Sequence, residues 1–266
     1  MSEFWSYRDL LTELIRREIL VRYRHCALGI AWALLQPLGL MLLFTFVFTR
    51  ALSVNALKNL DAPYPLFAYV GVLPWAFFAG GLGGAVSSLA AQRDLVTKVY
   101  FPHQILPLAQ IASAFFDFLV AAVVLAGLAF YYRLTAGFRL PLGPNLLMLP
   151  AVITIQIVLM VGLGLWLALA NLWFRDVKYI FTVAIQMWMF LTNVLYPLPP
   201  GGSGMLRVLV AVNPMVPIIS AYRDIVLYGR MPSGVSLACA ALVACGLAGS
   251  AWAGFSRLEG RFAERV

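Results

Sequence analysis

Charge is what this sequence has least of. Asp, Glu, Lys and Arg make up 11% of its 266 residues, against about 25% in an ordinary soluble domain. With 62% apolar residues and a mean hydropathy of +0.89, the chain carries more apolar surface than a water-facing globule can cover. That excludes a soluble fold and points to a bilayer.

Other shortages exclude chemistry. The only lysines are Lys58, Lys98 and Lys178, and none precedes Ser or Thr. No GxxxxGK[ST] phosphate loop exists, so the chain is not an ATPase of that class. HExxH, GxSxG and paired carboxylates at a span end are all missing, which argues against a membrane hydrolase or glycosyltransferase. Cys26, Cys239 and Cys245 form no disulfide framework. Cys239 and Cys245 stand six apart on one expected helix and so point to different faces. His25 and His103 have no ligand-spaced partners, and no metal site is expected.

What is present is a series of long apolar runs, near 28–49, 66–86, 106–132, 146–172, 180–196 and 235–255. A bilayer core takes about 20 such residues per helix. Little chain is left over for a soluble domain, so one membrane domain over 1–266 is expected. Its parts are an amphipathic helix at 4–24, a six-span bundle at 28–255 and a tail at 256–266. Basic residues are biased to one side. Arg8, Arg16, Arg17, Arg22, Arg24, Arg93, Lys98, Arg175, Lys178, Arg257, Arg261 and Arg265 fall at one set of span ends. Arg50, Lys58, Arg133, Arg139, Arg207, Arg223 and Arg230 fall at the other. The positive-inside bias then places both termini in the cytoplasm. The net charge of +8 suits anionic headgroups, while the scatter of cations over span ends argues against a nucleic-acid partner. The arm before Leu28 holds Glu3, Asp9, Glu13 and Glu18, unlike a cleaved signal peptide.

Within residues 4–24, Phe4, Tyr7, Leu10, Leu11, Leu14 and Ile15 recur at helical spacing between arginines and glutamates. This predicts a helix lying along the inner interface. Asp117 sits inside the third span and needs a partner in the bundle interior. Gly80, Gly81, Gly83 and Gly84 allow close helix contact. Residues 87–105 read as a short inner helix ending before Pro102. Residues 205–229 are apolar but broken by Pro214 and Pro217. They read either as re-entrant half-helices lining a pathway or as a hairpin capping the outer side. Aromatics gather toward the outer half, among them Phe44, Phe48, Tyr69, Trp75, Trp188 and Tyr196. Two readings stand for them: an interfacial belt, or a channel lane on which sugar rings stack.

Several segments in order carry a family likeness. VRYRHCALGIAWALLQP at 21–37 contains Arg22, Tyr23, Leu28, Gly29, Trp32 and Pro37 in an R-Y-x-x-x-x-L-G-x-x-W-x-x-x-x-P pattern. PYPLFAYVGVLPWAFF (63–78), LVTKVYFP (95–102), NPMVPIISAYRDIVLYGRMP (213–232) and SRLEGRFAERV (256–266) follow in register. Together they resemble permease subunits of type-2 ABC exporters, of the subset that exports polysaccharides, O-antigen and teichoic acids. His103 departs from that pattern, standing where an arginine is common after Phe-Pro.

The resemblance implies an all-α polytopic bundle of six transmembrane helices, with an N-terminal interfacial helix and re-entrant half-helices before the last span. It implies a homodimer in the bacterial inner membrane, joined by two copies of a separate ATPase that binds ATP and Mg. The cargo it implies is a glycan on a polyprenyl pyrophosphate lipid. Lys98, Val99, Tyr100, Phe101 and Pro102 would then couple to the ATPase, with no cofactor in this chain. Arg22 and Arg24, just before the first span, would meet the lipid pyrophosphate, because the guanidinium fork suits phosphate. Setting topology alone is the other role open to them. A drug or small-lipid exporter of the same fold is the alternative within transport. A membrane enzyme or assembly factor for lipid-linked sugars is the alternative outside it.

Overall fold

A computed structural model describes residues 7–24, 28–51, 60–92, 101–138, 141, 143–197 and 212–258. Helix dominates the described residues, and no strand occurs among them. Among the described residues the α-helices are, in order, α1 Arg8–Arg24, α2 Ala31–Phe46, α3 Tyr64–Ala91, α4 Ile105–Ala136, α5 Leu149–Trp173, α6 Val177–Leu191, α7 Met215–Val226 and α8 Gly234–Leu258. A π-turn at Val47–Ala51 extends α2, and a 3-10 turn at Pro144–Met148 leads into α5.

The expected spans have helices at their places, but one is short. Among the described residues five helical stretches are long and apolar enough to cross a membrane: Ala31–Arg50, Tyr64–Ala91, Ile105–Ala136, Pro144–Trp173 and Gly234–Arg257. The span expected at 180–196 is instead the 15-residue α6, about 22 Å long at 1.5 Å per residue, short of a hydrocarbon core of about 30 Å. It stops because Thr192–Tyr196 turns inward, burying Thr192, Asn193, Val194 and Leu195.

Side-chain contacts fix the direction of each helix. α3 and α4 are antiparallel, since Tyr69 reaches Ala121 while Phe77 meets Phe115. α5 runs parallel to α3, with Gln156 on Pro74 and Asn171 on Val86. α8 runs parallel to α5, with Gly162 against Ala248 and Trp166 on Ser250. For α5 and α8 to be parallel, the chain must return across the bundle between them through α6, the turn and α7. α1 and the end of α8 therefore share one end of the molecule. Leu14 and Phe255 indeed lie in one buried cluster with Leu89, Phe101, Ile105 and Leu169.

α3 is the axis. It is the most buried of the five long helices, and it packs chiefly on α4 and α5. The outer helices leave large apolar side chains in the open, such as Leu42 and Phe46 on α2, Val123 and Leu134 on α4, and Leu242 on α8. In a bilayer these meet acyl chains, which are as apolar as the side chains themselves. On α6, Tyr179, Ile180, Val183, Met187 and Phe190 form an exposed stripe at helical spacing.

The α5–α8 seam depends on Gly162. A Cβ there would stand 2.6 Å from the Ala248 nitrogen and 2.8 Å from the Leu247 carbonyl carbon. Both are backbone atoms that cannot rotate away. Gly162→Ala should therefore lower stability by about 1–3 kcal/mol, read as a drop in thermal midpoint of the purified protein in detergent. An unchanged midpoint would show that the seam gives more easily than helix backbones do.

From residue 213 to 229 the described part of the broken stretch holds one short helix. Pro214 precedes α7, and Pro217 falls in its first turn, where a missing N–H costs nothing. Ile218, Ile219, Tyr222, Arg223 and Ile225 are buried. The Tyr222 hydroxyl donates to Gln156 Oε1 (2.9 Å), and Gln156 Nε2 donates to the Pro74 carbonyl (2.8 Å). A half-helix satisfied by protein in this way is what membrane depth permits. Residues 205–211 and the tail from 259 lie outside the described residues.

Candidate functional site

α1 is held against the bundle by its apolar face. Tyr7, Leu10, Leu11, Leu14 and Ile15 pack on the shared end of α3, α4, α5 and α8. Gln92 Nε2 donates to Glu18 Oε1 at 3.0 Å, tying α1 to the end of α3. The opposite face of α1 is exposed and carries Arg16, Arg17 and Arg24, with Glu13, Leu20 and Val21 between them.

This docking brings α1 to Asp117, three turns into α4. Arg22 Nη1 forms an ion pair with Asp117 Oδ2, and Arg22 Nη2 donates to Ser113 Oγ (3.2 Å). The Tyr23 hydroxyl donates to Asp117 Oδ1 (2.5 Å). Both carboxylate oxygens are thus engaged, and the expected interior partner of Asp117 is Arg22. Burial first, and the accepting carboxylate second, hold the Tyr23 hydroxyl above its ordinary pKa, so it stays a donor.

The cluster forms one wall of a cavity of about 660 Å³ between α1, α2, α3 and α4, with Met189 of α6 at its edge. Its other walls are aromatic and apolar: Trp75, Phe77, Phe118, Leu73 and Leu40. Trp32 and Gln36, exposed on α2, stand at the rim. With its one cation paired to its one carboxylate, the cavity offers a neutral polar end and ring faces beyond it. Four residues of the R-Y…L-G…W…P pattern, Arg22, Tyr23, Trp32 and Pro37, line it together.

The six aromatics expected as a channel lane do not line up. Only Trp75 reaches this cavity. Tyr69 is fully buried and donates to the Ala121 carbonyl (2.9 Å). Trp188 meets Trp75 and Phe78 edge-on at 6.4 and 5.3 Å and donates to Asn213 Oδ1 (3.0 Å). Phe44 and Phe48 belong to a separate string that continues to Tyr64 at the far end of the bundle. Tyr196 donates to the Phe190 carbonyl at 2.6 Å and closes the turn after α6.

Of the coupling residues, Lys98, Val99 and Tyr100 lie outside the described residues. Phe101 is buried among the side chains at the end of the bundle that carries α1, its ring 5.2 Å from that of the buried His103. Its side chain packs within the chain. Pro102 is half-buried. Among the described residues no group of His, Cys, Asp or Glu is arranged to hold a metal.

The far end of the bundle holds a second polar cluster that the sequence does not announce. Arg223, expected on the outer surface, is buried on α7. Its Nη1 donates to the Asn193 carbonyl (2.5 Å), and its Nη2 to that of Val194 (2.6 Å). Its guanidinium lies 3.7 Å from the centroid of Phe67, a cation–π contact. Gly71 makes room for it: a Cβ there would collide with the Val194 carbonyl and the guanidinium. Tyr64 donates to the Leu195 carbonyl (3.0 Å), and Asn193 Nδ2 to Ser220 Oγ (2.9 Å). The turn after α6 is thereby clamped to α3 and α7. An Arg two turns into an apolar helix with two prolines was the available signal.

Known proteins match this chain along its length. The ABC-2 type transporter family matches residues 9–227. The chain is 33% identical to the O-antigen export system permease protein RfbA of Myxococcus xanthus, over all of this chain and 98% of that protein. The protein of that name from Klebsiella pneumoniae is 25% identical over 84% of this chain and 82% of its own. The polysialic acid transport protein KpsM of Escherichia coli is 25% identical over 89% of this chain and 88% of its own. With most of its length matched by the family and a relative aligned from end to end, this chain is a member of the ABC-2 type transporter family.

Proposed function

We propose that this chain is the membrane-spanning subunit of an ATP-driven exporter that moves a polyprenyl-pyrophosphate-linked polysaccharide across the bacterial inner membrane. The observation that carries this reading is the end-to-end likeness to a protein named as an O-antigen export permease. The aromatic walls of the cavity beside Arg22 and Asp117 accept the apolar faces of sugar rings, and Arg24, on the exposed face of α1, has the fork that binds phosphate oxygens in pairs.

In this reading the shared end carrying α1 is cytoplasmic, in keeping with its exposed Arg16, Arg17 and Arg24 and the positive-inside bias. Two copies of the chain form a homodimer and engage two copies of a separate ATPase, which binds ATP and Mg. The chain itself carries no phosphate loop, so the purified chain alone should not hydrolyse ATP, and turnover should require the ATPase subunit. Robust hydrolysis by the chain alone would contradict this division of labour.

Coupling is assigned to Leu95–Pro102, with Phe101 anchoring the segment in the bundle. Lys98→Glu should reduce co-purification of the ATPase by about 5-fold, the scale of one interfacial charge pair, with expression and insertion unchanged. Equal recovery of the complex would remove Lys98 from the contact.

The export role is tested by deleting the gene in its host. Loss of one surface glycan with accumulation of its lipid-linked precursor inside the cell is the expected outcome. Intact surface glycans with altered drug or lipid efflux would favour the small-molecule alternative.

A further inference from the structure

A groove of about 390 Å³ runs between α7 and α8, away from the Arg22 cavity. That volume is within the range of about 300–1,000 Å³ typical of ligand sites. On α8 its floor is Val235, Ser236, Cys239, Ala240 and Val243. These positions recur at helical spacing and make a single stripe. Val235 and Val243 are 79% and 45% exposed, so the stripe is open to whatever surrounds the bundle.

One end of the groove is polar. Asp224, near the end of α7, lines it together with Ser233 at the start of α8. The Asp224 carboxylate is half-buried. Arg230 and Arg223 both act on it through space, but neither guanidinium is bonded to it. Arg223 is spent on the carbonyls of Asn193 and Val194, and Arg230 Nη2 stands 3.9 Å from Asp61 while its own backbone N–H bonds the Asp224 carbonyl oxygen. Ser233 and Ser236 hydrogen-bond each other at 3.2 Å. The groove thus offers a carboxylate at its mouth and an apolar trough leading away along α8.

We propose that this groove binds a membrane phospholipid whose headgroup ends in a primary ammonium, with the ammonium on Asp224 and one acyl chain along the Val235–Val243 stripe. Charge complementarity selects this occupant. A quaternary ammonium has no N–H to give the carboxylate. The polar mouth lies at the end opposite α1, so under the orientation proposed above the lipid comes from the outer leaflet. Only the choice of leaflet rests on that reading.

The test is competitive lipid retention by the purified full-length chain, read by native mass spectrometry. The chain is incubated with equimolar phosphatidylethanolamine and phosphatidylcholine of identical chains. Phosphatidylethanolamine should be retained about 5-fold in excess, the scale of one partly exposed ion pair. Asp224→Asn should bring the ratio to one while some lipid still binds. Val235→Trp, which fills the trough and leaves the charge, should reduce retention of both lipids. Each variant is first shown to match the parent in elution and thermal midpoint without added lipid. If Asp224→Asn fails this check, Asp224→Glu replaces it and should keep the preference.

No headgroup preference in the parent would overturn the proposal. So would a preference that survives Asp224→Asn, or full retention in Val235→Trp. Cys239, exposed in the trough, supplies a further check, made with Cys26 and Cys245 replaced by Ser. A disulfide between two copies through Cys239, with no lipid retained, would put a second chain there and overturn it too. None of these outcomes depends on transport, so their failure is separable from failure of the export reading.

Discussion

Asp117→Ala should release α1 from α4 and abolish most export. The substitution leaves Arg22 without its carboxylate and removes the acceptor of the Tyr23 hydroxyl. Removing one partner of a fully buried pair costs about 3–5 kcal/mol. Here the side chains are 34% and 23% exposed, so solvent screening brings the expectation to about 1–3 kcal/mol. The reduced stability should appear with faster protease cleavage within α1. The double exchange Arg22→Asp with Asp117→Arg should recover part of both. No change in α1 protection would mean that its apolar face alone holds it.

This pair also separates two roles the sequence leaves merged in Arg22 and Arg24. Arg22 is committed to Asp117 and Ser113, whereas Arg24 lies on the exposed face of α1. Arg24→Lys keeps charge and topology but loses the fork, so it should lower export at unchanged stability. Arg22→Lys should lower both. Wild-type export in the double lysine variant, with insertion confirmed, would leave these arginines as determinants of topology.

Arg223→Met should be the most damaging change at the other end of the bundle. It keeps the apolar stem but strands the Asn193 and Val194 carbonyls in a buried turn. Hydrogen bonds to charged groups contribute about 1.5–3 kcal/mol each, and the contact with Phe67 adds to them. A loss of about 3–5 kcal/mol is expected, read as a lowered thermal midpoint and exposure of the 192–196 turn to protease. Arg223→Lys should fall between the two, since one ammonium does not reproduce the fork. A midpoint like the parent's would mean that Tyr64, Asn213 and Ser220 suffice to hold the turn.

Much of this was legible from composition and spacing alone. Apolar runs of membrane length are insensitive to tertiary detail, so the helices at 31–50, 64–91, 105–136, 144–173 and 234–257 lie where the runs do. Pro214 and Pro217 read only as breaks in an apolar stretch, and α7 begins just after Pro214. The cost of a carboxylate in hydrocarbon required a partner for Asp117, but not which one. That partner is 95 residues away, on a helix whose arginines all read alike as interfacial cations. Arg223 misled for the same reason: position between spans suggested the surface, while burial depends on the carbonyls that a distant turn turns inward. The aromatics lie apart within the chain because identity carries no direction. Tyr69 and Trp75, six apart on α3, face different neighbours.

The central claim is that this chain, with its ATPase, carries a lipid-linked polysaccharide across a membrane. Its most direct test is flux in proteoliposomes containing the purified complex, ATP and Mg inside or outside, and polyprenyl-pyrophosphate glycan loaded on the ATP-facing leaflet. ATP-dependent appearance of glycan on the opposite side, lost with Asp117→Ala and absent without the ATPase, is the predicted result. ATP hydrolysis that proceeds at full rate while the glycan stays on its original side would contradict the account.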